Sequence, residues 1–150
     1  AGPFPTELFD GAGEELRKEG AEFGTTTGRA RRCGWFDAEL IKFASEINGF
    51  THIAITKLDV LDTLKEIKIC TGYTYRGKPV RYYDGDAIFL DKVKPAYQTF
   101  PGWQQSTKGL TDFAKLPTKA QQYVKAIEKF VGVKASLIST GPEREAIIKR

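Results

Sequence analysis

Hydrophobic and polar positions along the chain switch repeatedly between helical and strand spacing. Phe36, Leu40, Phe43, Ala44 and Ile47 recur at helical intervals and predict one apolar helix face. Asp37 suits the N-cap, Glu39 complements the helix dipole in the first turn, and Asn48 with Gly49 supplies the stop. Ile53, Ala54 and Ile55 then form a short apolar run after a turn signal, as expected of a buried strand in a parallel sheet. Residues 65–75 alternate, with Ile67, Ile69, Thr71, Tyr73 and Tyr75 on one side and Lys68, Cys70, Gly72 and Thr74 on the other. A turn at Arg76, Gly77 and Lys78, followed by a return strand begun by Val80 and Tyr82, predicts an antiparallel hairpin. Residues 93–103 read as an extended segment closed by Pro101 and Gly102, with Tyr97, Phe100 and Trp103 as packing aromatics. A second helix starts at Pro117, where proline is tolerated, buries Ala120, Tyr123, Val124, Ile127 and Val131, and stops at Gly132. Residues 133–139 form a strand that turns at Ser139, Thr140, Gly141 and Pro142.

The two ends are less regular. Residues 1–21 predict one or two short helical pieces, the first capped by Thr6 and interrupted by Gly11 and Gly13, the second running over 14–19 and ending at Gly20. Residues 143–150 are a charged amphipathic stub without an assigned structure. Helix followed by buried strand is the α/β rhythm. The expected architecture is part of a mostly parallel, P-loop-NTPase-like sheet with flanking helices, plus an antiparallel hairpin subdomain.

Residues 22–35, EFGTTTGRARRCGW, break this periodicity and concentrate polar chemistry. Thr25, Thr26, Thr27 and backbone N–H groups can donate to carboxylate or phosphate oxygens. Gly24 and Gly28 allow close approach, and Arg29, Arg31 and Arg32 can grip oxyanions with paired hydrogen bonds. An arginine cluster alone is more often a solvated basic surface, but the adjoining threonines favour an anion loop. Thr56, Lys57, Leu58 and Asp59 follow the Ile53 run, and ligands of open α/β sheets bind beyond the carboxyl ends of strands. An aspartate there can accept from guanine N1–H and the 2-amino group, a pair that adenine lacks, while the Lys57 stem lies over the base. Ser139, Thr140 and Gly141 end the last strand and offer backbone N–H groups to a carbonyl such as guanine O6.

Composition narrows the classes. The chain of 150 residues is 41% hydrophobic and 28% charged, enough to bury a real core. A net charge of +4 suits a protein handling phosphates, without the long basic stripe of a nucleic-acid binder. No apolar run approaches a membrane span. Cys33 and Cys70, the only two cysteines, lie far apart outside any CxxC pair and are expected to be reduced in a cytoplasmic protein. Asp84, Gly85 and Asp86 lack the remaining ligands of a calcium loop and read as turn-formers. The single histidine, His52, has no orienting partner in view and reads as a strand-start residue. The chain has no methionine, so it is expected to be cut from a longer polypeptide.

GPFPTEL (2–8), EFGTTTGR (22–29), RRCGWFDA (31–38), TKLDVLD (56–62), PGW (101–103) and ISTGPERE (138–145) together resemble, in the same order, the adenylosuccinate synthetase family. The resemblance covers nearly all of residues 1–150 and implies the C-terminal third of such an enzyme, an incomplete domain. It implies GTP-dependent joining of L-aspartate to inosine monophosphate, in which GTP phosphorylates the purine 6-oxygen before the aspartate amine displaces that phosphate. By resemblance, Thr25, Thr26, Thr27, Gly28, Arg29 and Arg31 hold aspartate, with Arg29 also meeting inosine monophosphate and Arg31 also meeting the GTP phosphates. Lys57, Leu58, Asp59, Ser139, Thr140 and Gly141 hold the guanine. The family's catalytic aspartate and histidine, glycine-rich phosphate loop and Mg2+ ligands have no counterpart in these residues. The expectation is therefore half-sites without catalytic or metal-binding residues, inactive alone and homodimeric as the full enzyme. The competing expectation is a stand-alone guanine-nucleotide binding module without chemistry.

Overall fold

The computed structural model describes residues 2–80 and 83–150. The first helix, α1, runs Gly11–Glu19. Asp10 caps it by accepting from the Gly13 N–H at 3.2 Å, so the expected Thr6 cap is corrected. Gly11 and Gly13 lie inside the helix, and Thr6 is buried. The helix tolerates Gly13 because it needs close approach there: an added Cβ would sit 2.7 Å from the Leu8 carbonyl oxygen.

A two-residue strand, β1 (Phe36–Asp37), leads into α2 (Ala38–Asn48). Asp37 caps α2 as expected, accepting from the Leu40 N–H, and Gly49 ends it in the left-handed region. The buried face differs from the one expected. Ala38 and Ser45 are buried and Ile41 packs on the core, whereas Leu40 and Ile47 are exposed. The helix packs against a later helix and strand.

The strand β2 (His52–Ile55) is an edge strand, with Ile53 and Ile55 turned toward the core and His52 and Ala54 exposed, so the fully buried strand expected here is corrected. The long strand β3 (Glu66–Tyr75) buries Ile67, Ile69 and Tyr73 as its alternation predicts. It also buries Cys70 from the opposite set, because the register shifts between Cys70 and Gly72. Arg76 and Gly77, both at positive φ, turn β3 into a short β4 (Lys78–Pro79). The Tyr82 part of the expected return strand lies outside the described residues.

A short helix absent from the sequence reading, α3 (Ala87–Leu90), is capped by Asp86. Asp84 in turn accepts from the Asp86 N–H at 2.9 Å, so these carboxylates serve a turn and a cap. The main partner of β3 is β5 (Lys94–Pro101), paired antiparallel along nearly its whole length. The predicted second helix is α4 (Thr118–Val131), and all five residues named for its apolar face are buried. It leads into β6 (Lys134–Ser139). The terminal stub contains a strand, β7 (Ile147–Lys149), with Ile148 fully buried. Its apolar positions become meaningful only once β6 lies beside them.

The fold is mixed α/β, in two sheets. In one, β1 pairs parallel and β4 and β5 pair antiparallel with β3; in the other, β2 and β6 are parallel and β7 is antiparallel to β6. One core cluster runs through both, with Trp35, Leu58, Ile67, Trp103, Tyr123, Ile127 and Ile138 among its buried members. A smaller cluster of Cys70, Tyr73 and Val93 lies under the hairpin.

Candidate functional site

At the carboxyl end of β2 the chain enters a 3-10 turn at Leu58–Leu61. Lys57 occupies the left-handed region just before it, and its N–H donates to Ser139 Oγ at 2.8 Å. This bond joins the two segments that the sequence singled out separately, across the parallel β2–β6 pair. The Leu58 side chain is buried in the core, which leaves its backbone for any ligand. Asp59 faces a cavity of about 550 Å³ lined also by Val60, Asp62, Gln104, Gln105, Ser106 and Lys108. Its Oδ1 is buried without a hydrogen-bond donor. Burial raises the Asp59 carboxyl above its ordinary range, and the neighbouring Asp62 charge adds to that. A buried acceptor without a donor is costly unless a ligand or water supplies one.

The strand-end loop at 139–141 offers fewer free groups than expected. Thr140 is fully buried, its N–H donates to the Ala146 carbonyl at 2.9 Å and its hydroxyl to the Leu110 carbonyl at 2.8 Å. Thr140 is therefore a structural tie, whereas Ser139 lies half-buried beside Lys57.

Residues 22–31 form a tight hairpin-like turn. Phe23 bridges Ala30, Gly24 N–H donates to the Arg29 carbonyl at 2.8 Å, and Arg31 N–H donates to the Glu22 carbonyl at 2.9 Å. Gly28 takes a positive φ of 64°, the conformation that makes glycine useful there. Thr25, Thr26, Thr27 and Arg29 are not buried, and the first three form the tip of the turn. Arg31 pairs with Glu22 at 3.0 Å, and Arg32 pairs with Glu7 and lies over the Phe4 ring. Glu22 also takes Lys57 Nζ at 2.5 Å, and Lys57 Nζ donates to the Gly20 carbonyl at 2.8 Å. The hydrogen bonds from Lys57 and Arg31 hold the Glu22 carboxyl below its ordinary range. Glu22 thus links the anion loop to the strand-end motif. Sequence reading passed it over, although a glutamate opening a run of arginines was the available signal.

A sequence model of the family described as adenylosuccinate synthetase matches residues 1–148. The chain belongs to the adenylosuccinate synthetase family. It is 52% identical over 150 residues to the adenylosuccinate synthetase of Nitratidesulfovibrio vulgaris (strain DP4), covering 100% of this chain and 35% of that protein. With the adenylosuccinate synthetase of Thermoanaerobacter sp. (strain X514) it shares 50% identity over 147 residues, 98% of this chain and 34% of that one. A solved structure titled as fully ligated adenylosuccinate synthetase from Plasmodium falciparum superposes with a TM-score of 0.95 at 36% identity, covering 100% of this chain and 36% of that chain. The chain thus spans about a third of the length of the adenylosuccinate synthetases it matches. The two candidate regions described above lie within the matched span.

Proposed function

We propose that these residues are the C-terminal portion of an adenylosuccinate synthetase, a carbon–nitrogen ligase of purine biosynthesis that uses GTP to join L-aspartate to inosine monophosphate. The observation that carries the base assignment is the Asp59 carboxyl at the end of β2, which lines a cavity and whose Oδ1 is buried without a donor. Guanine offers two donors on one edge, and a carboxylate that accepts both reads guanine against adenine. Each such bidentate pair discriminates by about 1–3 kcal/mol. Lys57 contributes its stem to the base, Ser139 and Gly141 flank it, and Leu58 contributes backbone. Thr25, Thr26, Thr27, Gly28 and Arg29 take the aspartate carboxylates, with Arg29 shared with inosine monophosphate and Arg31 with the GTP phosphates.

The arginines suit both steps of the reaction. Negative charge gathers where carboxylate, purine oxygen and phosphoryl group meet, and fixed guanidinium groups stabilise it. Arg31 is held by Glu22 until an anion competes for it. By the same reading, the Mg2+ of the reaction and the catalytic acid and base belong to parts of the enzyme outside residues 1–150. The same reading carries a homodimeric, cytoplasmic full-length enzyme.

Two experiments test it. The 150-residue chain, given GTP, Mg2+, aspartate and inosine monophosphate, is expected to form no adenylosuccinate and to bind GDP no tighter than about millimolar, since base contacts of 1–3 kcal/mol stand without phosphate contacts. Turnover would overturn the half-site assignment, and tight GDP binding would favour a stand-alone module. In a polypeptide of full family length carrying these residues, Asp59→Asn should raise the GTP KM by about tenfold or more. An unchanged KM removes Asp59 from the guanine site.

A further inference from the structure

We propose that Asp62 is a positioning residue of the guanine site, and that the segment 104–108 which it holds in place forms a third wall of that site. The inference rests on the base-site reading above and adds residues that neither strand-end motif contains. The cavity lined by Asp59 is lined also by Gln104, Gln105, Ser106 and Lys108. These residues follow β5 by a sharp corner. At Gly102, where an added Cβ would sit 1.7 Å from the Leu64 carbonyl oxygen, the chain has no room for a side chain. Gln104 takes a φ of 47°, in the left-handed region that non-glycine residues seldom occupy. A corner of this kind persists only where surrounding contacts over-determine it.

Asp62 supplies those contacts. Its Oδ1 accepts from Trp103 Nε1 at 2.6 Å and from the Thr107 hydroxyl at 2.8 Å, and its Oδ2 accepts from the Thr107 N–H at 2.6 Å. Trp103 and Thr107 are buried at either end of the segment, so the intervening residues are held as a bow above the cavity. The same carboxylate stands on the turn that carries Asp59, with the Asp62 N–H donating to the Asp59 carbonyl at 3.1 Å. Asp59 and the opposite wall are thereby fixed relative to each other.

The other end of the segment is tied to the second motif. Gly109 N–H donates to the Thr140 carbonyl at 3.0 Å, and the Thr140 hydroxyl donates to the Leu110 carbonyl at 2.8 Å. Lys108 Cγ lies 3.9 Å from where a Cβ on Gly141 would be. The segment therefore spans from Asp62 to the 139–141 loop and lines the cavity beside the Asp59 carboxylate.

The test uses a polypeptide of full family length carrying these residues. Asp62→Ala removes three hydrogen bonds from the bow and should raise the GTP KM about tenfold while the KM for aspartate stays within about twofold. Asp62→Asn retains Oδ1 as an acceptor and should recover part of the loss. Thr107→Val, which preserves shape and the backbone donor, should raise the GTP KM about threefold and keeps the test decisive where Asp62→Ala does not fold. If Asp59→Asn raises the GTP KM while Thr107→Val and a folded Asp62→Ala leave it unchanged, the positioning role is overturned and the base-site reading stands. If Asp59→Asn also has no effect, both fall. An equal rise in the KM of all substrates would make Asp62 merely structural and would likewise overturn the proposal.

Discussion

Asp59 and Arg31 are both candidate ligand contacts, yet their surroundings have little in common. Asp59 stands on a turn anchored by the buried Leu58, beside a bow of chain pinned by the Asp62 carboxylate. Its own Oδ1 is left without a donor. Arg31 lies in an exposed turn with its charge already matched by Glu22, and the threonines ahead of it contact little beyond their own backbone. The base site holds an unmet acceptor inside a rigid frame. The loop holds Arg31 and Arg32, whose carboxylate partners Glu22 and Glu7 are supplied by the chain itself. A ligand at the first would complete it, and one at the second would have to compete. The contrast teaches where preorganisation comes from: the frame at Asp59 is an extension of the core, whereas the loop is linked to it through surface ion pairs.

Breaking the core beneath the base site should have the largest effect. Ile138 is fully buried beside Ile55 and Ile148 in the three-stranded sheet. Ile138→Ala should destabilise the fold by about 2–5 kcal/mol, read as a fall in the denaturation midpoint. Thr26→Ala, at the exposed tip of the loop, should stay within about 0.5 kcal/mol of the parent. Equal losses at the two positions would remove the distinction between frame and loop.

A smaller effect is expected where the two regions touch. Glu22→Gln weakens the ion pairs to Arg31 and Lys57, which are half exposed, and should cost about 0.2–1 kcal/mol per pair. It frees both cations, so chloride or phosphate should bind the variant more readily, measured as salt-dependent stabilisation. No gain in anion-dependent stability would show that Glu22 does not occupy the cations.

The smallest and most discriminating effect is in pH. Burial raises the Asp59 carboxyl, so its protonation favours folding, and that contribution is lost as pH rises through the raised value. Ligand binding runs the other way, because only the carboxylate accepts from two guanine donors. GTP KM should therefore rise on acidification at a pH above the ordinary aspartate range, and Asp59→Asn should abolish that step. Glu22 is lowered by Lys57 and Arg31, so its ion pairs contribute above the unfolded value and are lost only as pH falls through the lowered folded one. Coincident loss of GTP binding and of the loop's ion pairs in one pH step would contradict two separate environments.

The most regular elements were the most legible. The α4 face was read correctly because five apolar residues at helical spacing all met the core. The caps at Asp37 and Gly49 and the turn at Gly77 follow from local backbone chemistry and were equally readable. The α2 face was misread because Ala38, Ile41 and Ser45 turn to the core, whereas Leu40 and Ile47 turn to solvent. Cys70 was placed on the wrong side because a register shift in β3 is invisible to a period-two count. At the candidate site the separate motifs were legible as strings. The Glu22 link to Lys57 and the wall at 104–108 were not, because hydrogen bonds spanning dozens of residues leave no local pattern.

The sequence by itself determined the family, the mixed α/β class, and the two longer helices, α2 with its Asp37 cap and Gly49 stop and α4 with its Gly132 stop. These depend on side-chain type and on spacing within a turn or a strand, and both are local. Tertiary structure alone decided that Ser139 meets Lys57, that Asp62 holds Trp103 and Thr107, that β7 completes a sheet, and that one Asp59 oxygen is buried without a donor. Each of these requires two distant segments to be brought together by the packing of a shared core. Burial and hydrogen-bond satisfaction are properties of that assembled arrangement, and no single stretch of the chain contains them.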